Sequence, residues 1–281
     1  FSMQSSLVGE RAKISLTHGF KGVLGGGYSV VFWTGIQTDS IASTKSKNKR
    51  ASFHTAVFHT VSKYFCRSID ALVKKGFTGP IYCTHATRDL CSIMLQDSAR
   101  IQEHDAEHLS KKTGKDIIPM YTVEEAMECM MQFRSVGYNQ VIPLDQDVKV
   151  TFHDAGHILW SALEEWEIKD KETGENIRFC FTGDLGRKHL PILREPTQLK
   201  NIDILITEST YGNRFHEELS DVEGRLTKVI NETVDRGGKI FIPAFAVERT
   251  QEILYVLKLL MAQGKIMKLP IYIDSPLASD A

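Results

Sequence analysis

The chain has 281 residues, 42% hydrophobic and 25% charged, a composition that fits one large or two small globular domains and excludes a disordered or fibrous protein. Thirty-four Lys and Arg against 35 Asp and Glu leave a net charge of −1, so no global field draws the chain to nucleic acid, and any such role rests on a local site. No run approaches the roughly 18 apolar residues of a membrane helix, and Phe1-Ser2-Met3-Gln4 lacks the order of a signal peptide, so a cytoplasmic protein without membrane contact is expected.

The cysteines Cys66, Cys83, Cys91, Cys129 and Cys180 include no C-x-x-C pair, and buried reduced thiols are expected rather than disulfides or a Cys-ligated metal.

In chain order, Gly25-Gly26-Gly27 precedes a β-like run from Tyr28 to Trp33, and the basic stretch Ser43 to Arg50 reads as an exposed loop. No helix signal follows the glycines, so they read as a turn rather than a phosphate cradle. Ser68 caps a short predicted helix with Ile69, Leu72 and Val73 at helical spacing and Gly76 as its stop. Ile81 to Thr84 reads as a strand, and a long helix follows through Leu90, Ile93, Met94 and Ile101 to Gly114. Thr122-Val123-Glu124-Glu125 is a capping box that opens a helix with an expected buried stripe of Val123, Ala126, Met127, Met130 and Met131.

Strands are then expected at Val148 to Phe152, Leu163 to Ile168, Ile177 to Phe181 and Ile202 to Ile206, each facing a core on one side. The remainder alternates: helix Val222 to Val234, strand Lys239 to Pro243, helix Glu248 to Gln263 and strand Pro270 to Asp274. That order predicts a parallel sheet.

Three polar clusters directly follow predicted strands: His153-Asp154-Ala155-Gly156-His157, Thr182-Gly183-Asp184 and Thr207-Glu208-Ser209-Thr210-Tyr211-Gly212. Strand ends are where α/β proteins place their sites. A histidine with carboxylates, each beside a glycine that lets the backbone turn, is a donor set suited to Zn²⁺ or Mn²⁺.

Ala155-Gly156-His157-Ile158-Leu159-x-Ser161-Ala162, Phe181-Thr182-Gly183-Asp184-Leu185-Gly186-Arg187, Thr207-Glu208-Ser209-Thr210-Tyr211-Gly212, Pro243-Ala244-Phe245-Ala246-Val247-Glu248-Arg249-Thr250-Gln251-Glu252 and Asp274-Ser275-Pro276-Leu277-Ala278 resemble in order the motifs of the β-CASP branch of metallo-β-lactamase-fold nucleases. These are RNA-processing enzymes similar to the cleavage and polyadenylation factor endonuclease subunit and its prokaryotic relatives. The resemblance runs from about Ser68 to Ala281. It implies an α/β fold, a partial αββα sandwich followed by the start of an inserted β-CASP domain. The implied division is an atypical segment at 1–66, a metallo-β-lactamase-like domain at 67–211 and a truncated β-CASP domain at 212–281.

The implied activity is zinc-dependent hydrolysis of RNA by a hydroxide held between two ions. By the same resemblance His157 ligates one metal, Asp184 bridges both, and Glu208 orients a metal-ligating histidine. Arg249 is placed for a phosphate contact or for a salt bridge at the domain boundary, and Ser275 falls in a substrate-binding motif. A homodimer or an RNA-processing complex is the implied assembly. The alternatives are a non-catalytic pseudo-nuclease that scaffolds such a complex and, with less support, a small-molecule hydrolase of the wider fold.

Two departures stand out. The H-x-H-x-D-H signature is absent, and its slot reads Thr60-Val61-Ser62-Lys63-Tyr64-Phe65-Cys66, with His54 and His59 nearby at a spacing that suits no shared strand face. Trp160 stands where the family pattern has glycine, a bulk that is expected to crowd the metal pocket. If 1–66 is foreign to the fold, it is expected to show little regular structure, and the sheet of Val148 to Phe152 to lack neighbours on an edge or face.

Overall fold

The computed structural model describes Val73, residues 77–170, 173–215 and 222–281 and, nearer the N-terminus, the strands at 15–16, 20–24, 28–32 and 53–57. Four strands, β1 (Ser15–Leu16), β2 (Phe20–Leu24), β3 (Tyr28–Phe32) and β4 (Phe53–Val57), precede β5 (Ile81–Thr84). They run side by side in chain order, and β4 pairs in parallel with β5, Ala56 opposite Ile81. The expectation of little regular structure before residue 67 is therefore not met. A strand is fixed by the ladder that its neighbours offer, not by its own pattern alone. The triple glycine, the Ser43 to Arg50 stretch, the signature slot at 60–66 and the Ser68 helix lie outside the described residues, save for Val73.

The strand β5 alternates: Ile81 and Cys83 point into one core and Tyr82 into another. On the first side lie α1 (His85–Thr113) and α2 (Val123–Cys129), which bury Cys91, Leu95, Ala99, Ala126 and Cys129 against the sheet. Gly114 ends α1 in a left-handed cap, φ 67°, and the Thr122 capping box is formed as expected. Within the expected stripe Met127 and Met131 are exposed instead. The helix is seven residues long and turns at Met130 into β6 (Phe133–Val136), so Cys129 takes the inward position.

A second, five-stranded sheet has the order β11-β10-β9-β8-β7. Its members are β7 (Val141–Asp145), β8 (Val148–Asp154), β9 (Ala162–Lys169), β10 (Asn176–Phe181) and β11 (Ile204–Ile206). Val148, Val150, Phe152, Trp166, Phe179 and Phe181 form its inner face, against which Tyr82 and Val136 of the first sheet pack. Strand β8 therefore has both neighbours and a covered face, contrary to the expectation of a bare edge.

Its other face is covered as well. Leu163 and Cys180 pack with Ala155, Leu199 and Ile202 of an irregular segment, so β9 is buried on both sides rather than one. Ile204 is exposed on the edge strand. Helices cover the first sheet and, among the described residues, that irregular segment covers the second, a partial αββα sandwich.

Beyond residue 221, α3 (Val222–Asp235) and α4 (Arg249–Ala262) pack on each other through Ile230, Leu257, Leu260 and Ile266. A short α5 (Pro276–Asp280) follows. The segments 239–243 and 270–274 belong to no sheet, and Phe241 and Tyr272 are exposed. The predicted parallel pairing is thus absent among the described residues: the two helices find apolar surface in each other, whereas neither segment joins a ladder. Cys83, Cys91, Cys129 and Cys180 are buried thiols, as expected, and burial pushes Cys83 up to about 12 and Cys180 up to about 11. Cys66 lies outside the described residues. No described helix is long and apolar enough to cross a membrane.

Candidate metal centre

Sheet topology brings the three clusters together. Strand β9 runs antiparallel to both β8 and β10, and β11 parallel to β10, so β8, β10 and β11 end at the same edge. His157 follows β8 by three residues, Asp184 follows β10 by three, and Glu208 follows β11 by two. His157 Nε2 and Asp184 Oδ2 are 3.9 Å apart, with the side chains 41% and 60% exposed.

Two glycines set this approach. A Cβ on Gly186 would lie 1.6 Å from the carbonyl oxygen of Gly156, and one on Gly156, at φ +60°, would lie 2.5 Å from the carbonyl of Arg194. The Gly186 amide donates to the Ala155 carbonyl at 2.9 Å, closing the Asp184 loop on the His157 loop. Ser161 holds the other end: its hydroxyl accepts from the amides of His157 and Ile158 at 3.1 and 3.2 Å.

Glu208 does not touch a histidine among the described hydrogen bonds. Its Oε1 accepts the Leu185 amide at 2.6 Å, so it positions the Asp184 loop. Burial alone would raise its carboxyl. Hydrogen bonds from Thr210 and Leu185 and the nearby His157 outweigh that and hold it below the usual carboxylate range.

His153 is committed elsewhere. Its ring nitrogens meet Asn139 Oδ1 and Glu165 Oε2, both at 2.8 Å, and Glu165 in turn pairs with Arg178, whose Nε lies 2.9 Å away. Nothing in the sequence singled out Glu165, which stands among ordinary strand residues yet is only 7% exposed. Its one sequence signal is the pair Glu164-Glu165, where strict alternation would place an apolar residue at one of the two positions.

Trp160 adopts φ +63°, the left-handed region that favours glycine. Its ring stacks on Tyr138 at 5.1 Å and meets His85 edge-on at 5.8 Å, and its carbonyl accepts the Thr84 hydroxyl at 2.7 Å. The cost of the missing glycine therefore falls on the backbone. Removing the ring forfeits about 0.5–1.5 kcal/mol of stacking, whereas glycine alone recovers about 1 kcal/mol of strain. Trp160→Gly is therefore expected to unfold in urea at a higher midpoint than Trp160→Ala; equal midpoints would contradict the strain.

Glu248, also left-handed at φ +73°, joins the later helices to this edge: its Oε2 accepts the Leu159 amide at 3.2 Å. Burial raises its carboxyl above the usual range, and that hydrogen bond opposes the rise. The adjacent Arg249 is 58% exposed and pairs with Glu252 of its own helix at 3.0 Å. That ion pair stands inside α4 rather than across the domain boundary. The Ser275 hydroxyl accepts the Ala278 amide at 3.2 Å and caps α5.

The donor set is short. Zinc takes three or four protein ligands, and His157 and Asp184 are two; among the described residues no group of three His, Cys, Asp or Glu could hold an ion. The described residues do not by themselves fit a two-ion centre.

No family model matches the chain. It is 35% identical over 214 residues to transcription termination factor FttA of Methanocaldococcus jannaschii, a match that covers 74% of this chain and 31% of that protein. It is 31% identical over 208 residues to a ribonuclease of Thermus thermophilus, covering 74% of this chain and 43% of that one. The chain thus spans 31% and 43% of the length of these relatives. Among solved structures, the metallo-β-lactamase BJP-1 of Bradyrhizobium japonicum aligns over 76% of this chain and 72% of its own at 14% identity, with a TM-score of 0.28. Another, MEM-A1 from a soil metagenome, aligns over 76% and 74% at 12% identity, with a TM-score of 0.32. Likenesses at that level add no weight, and the assignment stands on the ordered motifs and the sequence identities. Over 74% of its length, then, the chain is similar in sequence to part of that transcription termination factor and of that ribonuclease, in keeping with the β-CASP resemblance of its ordered motifs.

Proposed function

We propose that the chain acts on RNA as a phosphodiester hydrolase of the RNA-processing type. The observation that supports this reading most is the convergence of His157, Asp184 and Glu208 on one sheet edge, in the order of the family motifs. The relatives named as a ribonuclease and as a transcription termination factor support RNA as the substrate. In this reading Ser161 fixes the His157 backbone, Glu208 fixes that of Leu185, and the exposed Asp184 carboxylate faces the reacting phosphate's surroundings. Arg249 offers a phosphate contact beside the His157 loop, and Ser275 shapes α5 through its cap. Zinc is the proposed ion, incompletely held by this chain. The proposed division is 1–66, 67–211 and 212–281, the last being the beginning of the β-CASP domain.

One observation favours a second reading, a non-catalytic RNA-binding scaffold: among the described residues the two donors are too few to hold zinc against its hydration. A labelled RNA incubated with and without added zinc or manganese separates the two. Expected is RNA binding that weakens with salt and survives Asp184→Asn, together with metal-stimulated cleavage that the same substitution abolishes. Binding without cleavage at saturating metal would select the scaffold, and absence of RNA binding would contradict both.

A further inference from the structure

A cleft of about 270 Å³ lies between the start of α1, the His157 loop and the first turn of α4, walled by Leu90, Ile93, Leu159 and Val247. Sites for drug-sized ligands run from roughly 300 to 1,000 Å³, so an occupant is small. Glu248 and Gln251 also line the cleft, and each has a buried oxygen, Oε1, without a hydrogen-bond partner. Their other atoms fix which oxygen is free. Glu248 Oε2 accepts the Leu159 amide, and Gln251 Nε2 donates to the Ala246 carbonyl at 3.1 Å, a bond that reversing the amide would lose.

Leaving a buried acceptor unpaired is costly, and such groups call for a partner that completes them. Asp89 and Asp280 line the same cleft, and none of its described lining residues is Lys, Arg or His. The described lining therefore offers acceptors, negative charge and an apolar wall.

We propose that this cleft binds an alkylammonium or alkylguanidinium group, its N–H donors satisfying Glu248 Oε1 and Gln251 Oε1 while its carbon chain lies on Leu90, Ile93 and Leu159. The terminal torsions of Glu and Gln are broad, so a small turn presents both oxygens. An apolar ligand would leave them unpaired, and a phosphate would face three carboxylates. The site is independent of the RNA reading and is tested without RNA.

Isothermal titration of the chain with agmatine is expected to show saturable one-to-one binding. Gln251→Leu should weaken it about tenfold or more, and Ala86→Phe, which fills the cleft without touching either acceptor, should remove it. Thermal unfolding of both variants establishes that they are folded. A parallel titration with N-acetylarginine methylamide identifies the source: equal binding points to an arginine side chain of a partner, and binding of agmatine alone points to a free amine, both supporting the site. No saturable binding of agmatine to the unsubstituted chain, as when Glu248 carries its own proton and bonds Gln251 internally, would overturn the proposal. So would a Gln251→Leu variant that binds as the unsubstituted chain does.

Discussion

Replacing Glu165 with alanine is expected to destabilise the fold by roughly 3–5 kcal/mol, because it leaves two cationic or hydrogen-bonding partners without their buried carboxylate. Glu165 sits on the central strand β9 and reaches His153 on β8 and Arg178 on β10. Arg178 continues the chain of bonds to the carbonyls of Lys200 and Asn201 at 2.8 and 3.1 Å, pinning the segment that covers this face. The strands joined in this way are those that deliver His157 and Asp184. Glu165→Gln keeps the shape and part of the hydrogen bonding, so a loss nearer 1–2 kcal/mol is expected. Urea unfolding followed by circular dichroism measures both, read as a lower midpoint at unchanged slope. An alanine variant within 1 kcal/mol of the unsubstituted chain would show that water replaces the carboxylate at little cost.

The second large effect is expected at Gly186. A methyl group there would collide with the Gly156 backbone, which has no rotamer to change, so the Asp184 and His157 loops must part. Overpacking of this kind costs about 1–3 kcal/mol, and separation also breaks the Gly186 to Ala155 hydrogen bond. Gly174 is the control: its φ is +73° but nothing lies within 4 Å of an added Cβ. Gly174→Ala should cost only the left-handed strain of about 1 kcal/mol. Gly186→Ala should be the more damaging of the two in urea and should also weaken any metal-stimulated RNA cleavage. Equal stability losses would contradict the close approach of the two loops.

The elements with clean periodicity were legible from their residues: the alternation of β8, the capping box of α2, and α1 with its glycine stop. Strand β7 was not, because Pro143 interrupts Val141 to Leu144; its place at the sheet edge explains why a proline is tolerated. Strand β6 is four residues long and follows a helix without a glycine, which hid it. The segments 239–243 and 270–274 differ in the other direction, with strand patterns but no partner strand among the described residues. At the site, residue order disclosed which side chains converge, whereas the Glu165 bridge and the interlocked Gly156 and Gly186 depend on contacts between distant segments. Trp160 was visible as a departure, but its consequence for the backbone required φ.

Among the described residues, the proposed metal centre has two donors, His157 and Asp184. Elemental analysis of the purified chain after dialysis against zinc-free buffer at neutral pH tests this most directly. With His157 and Asp184 as the donors, less than one zinc per chain is expected, because two ligands do not offset dehydration of the ion. Two zinc ions per chain would contradict this and implicate His54, His59, Cys66 or His153 as the missing donors.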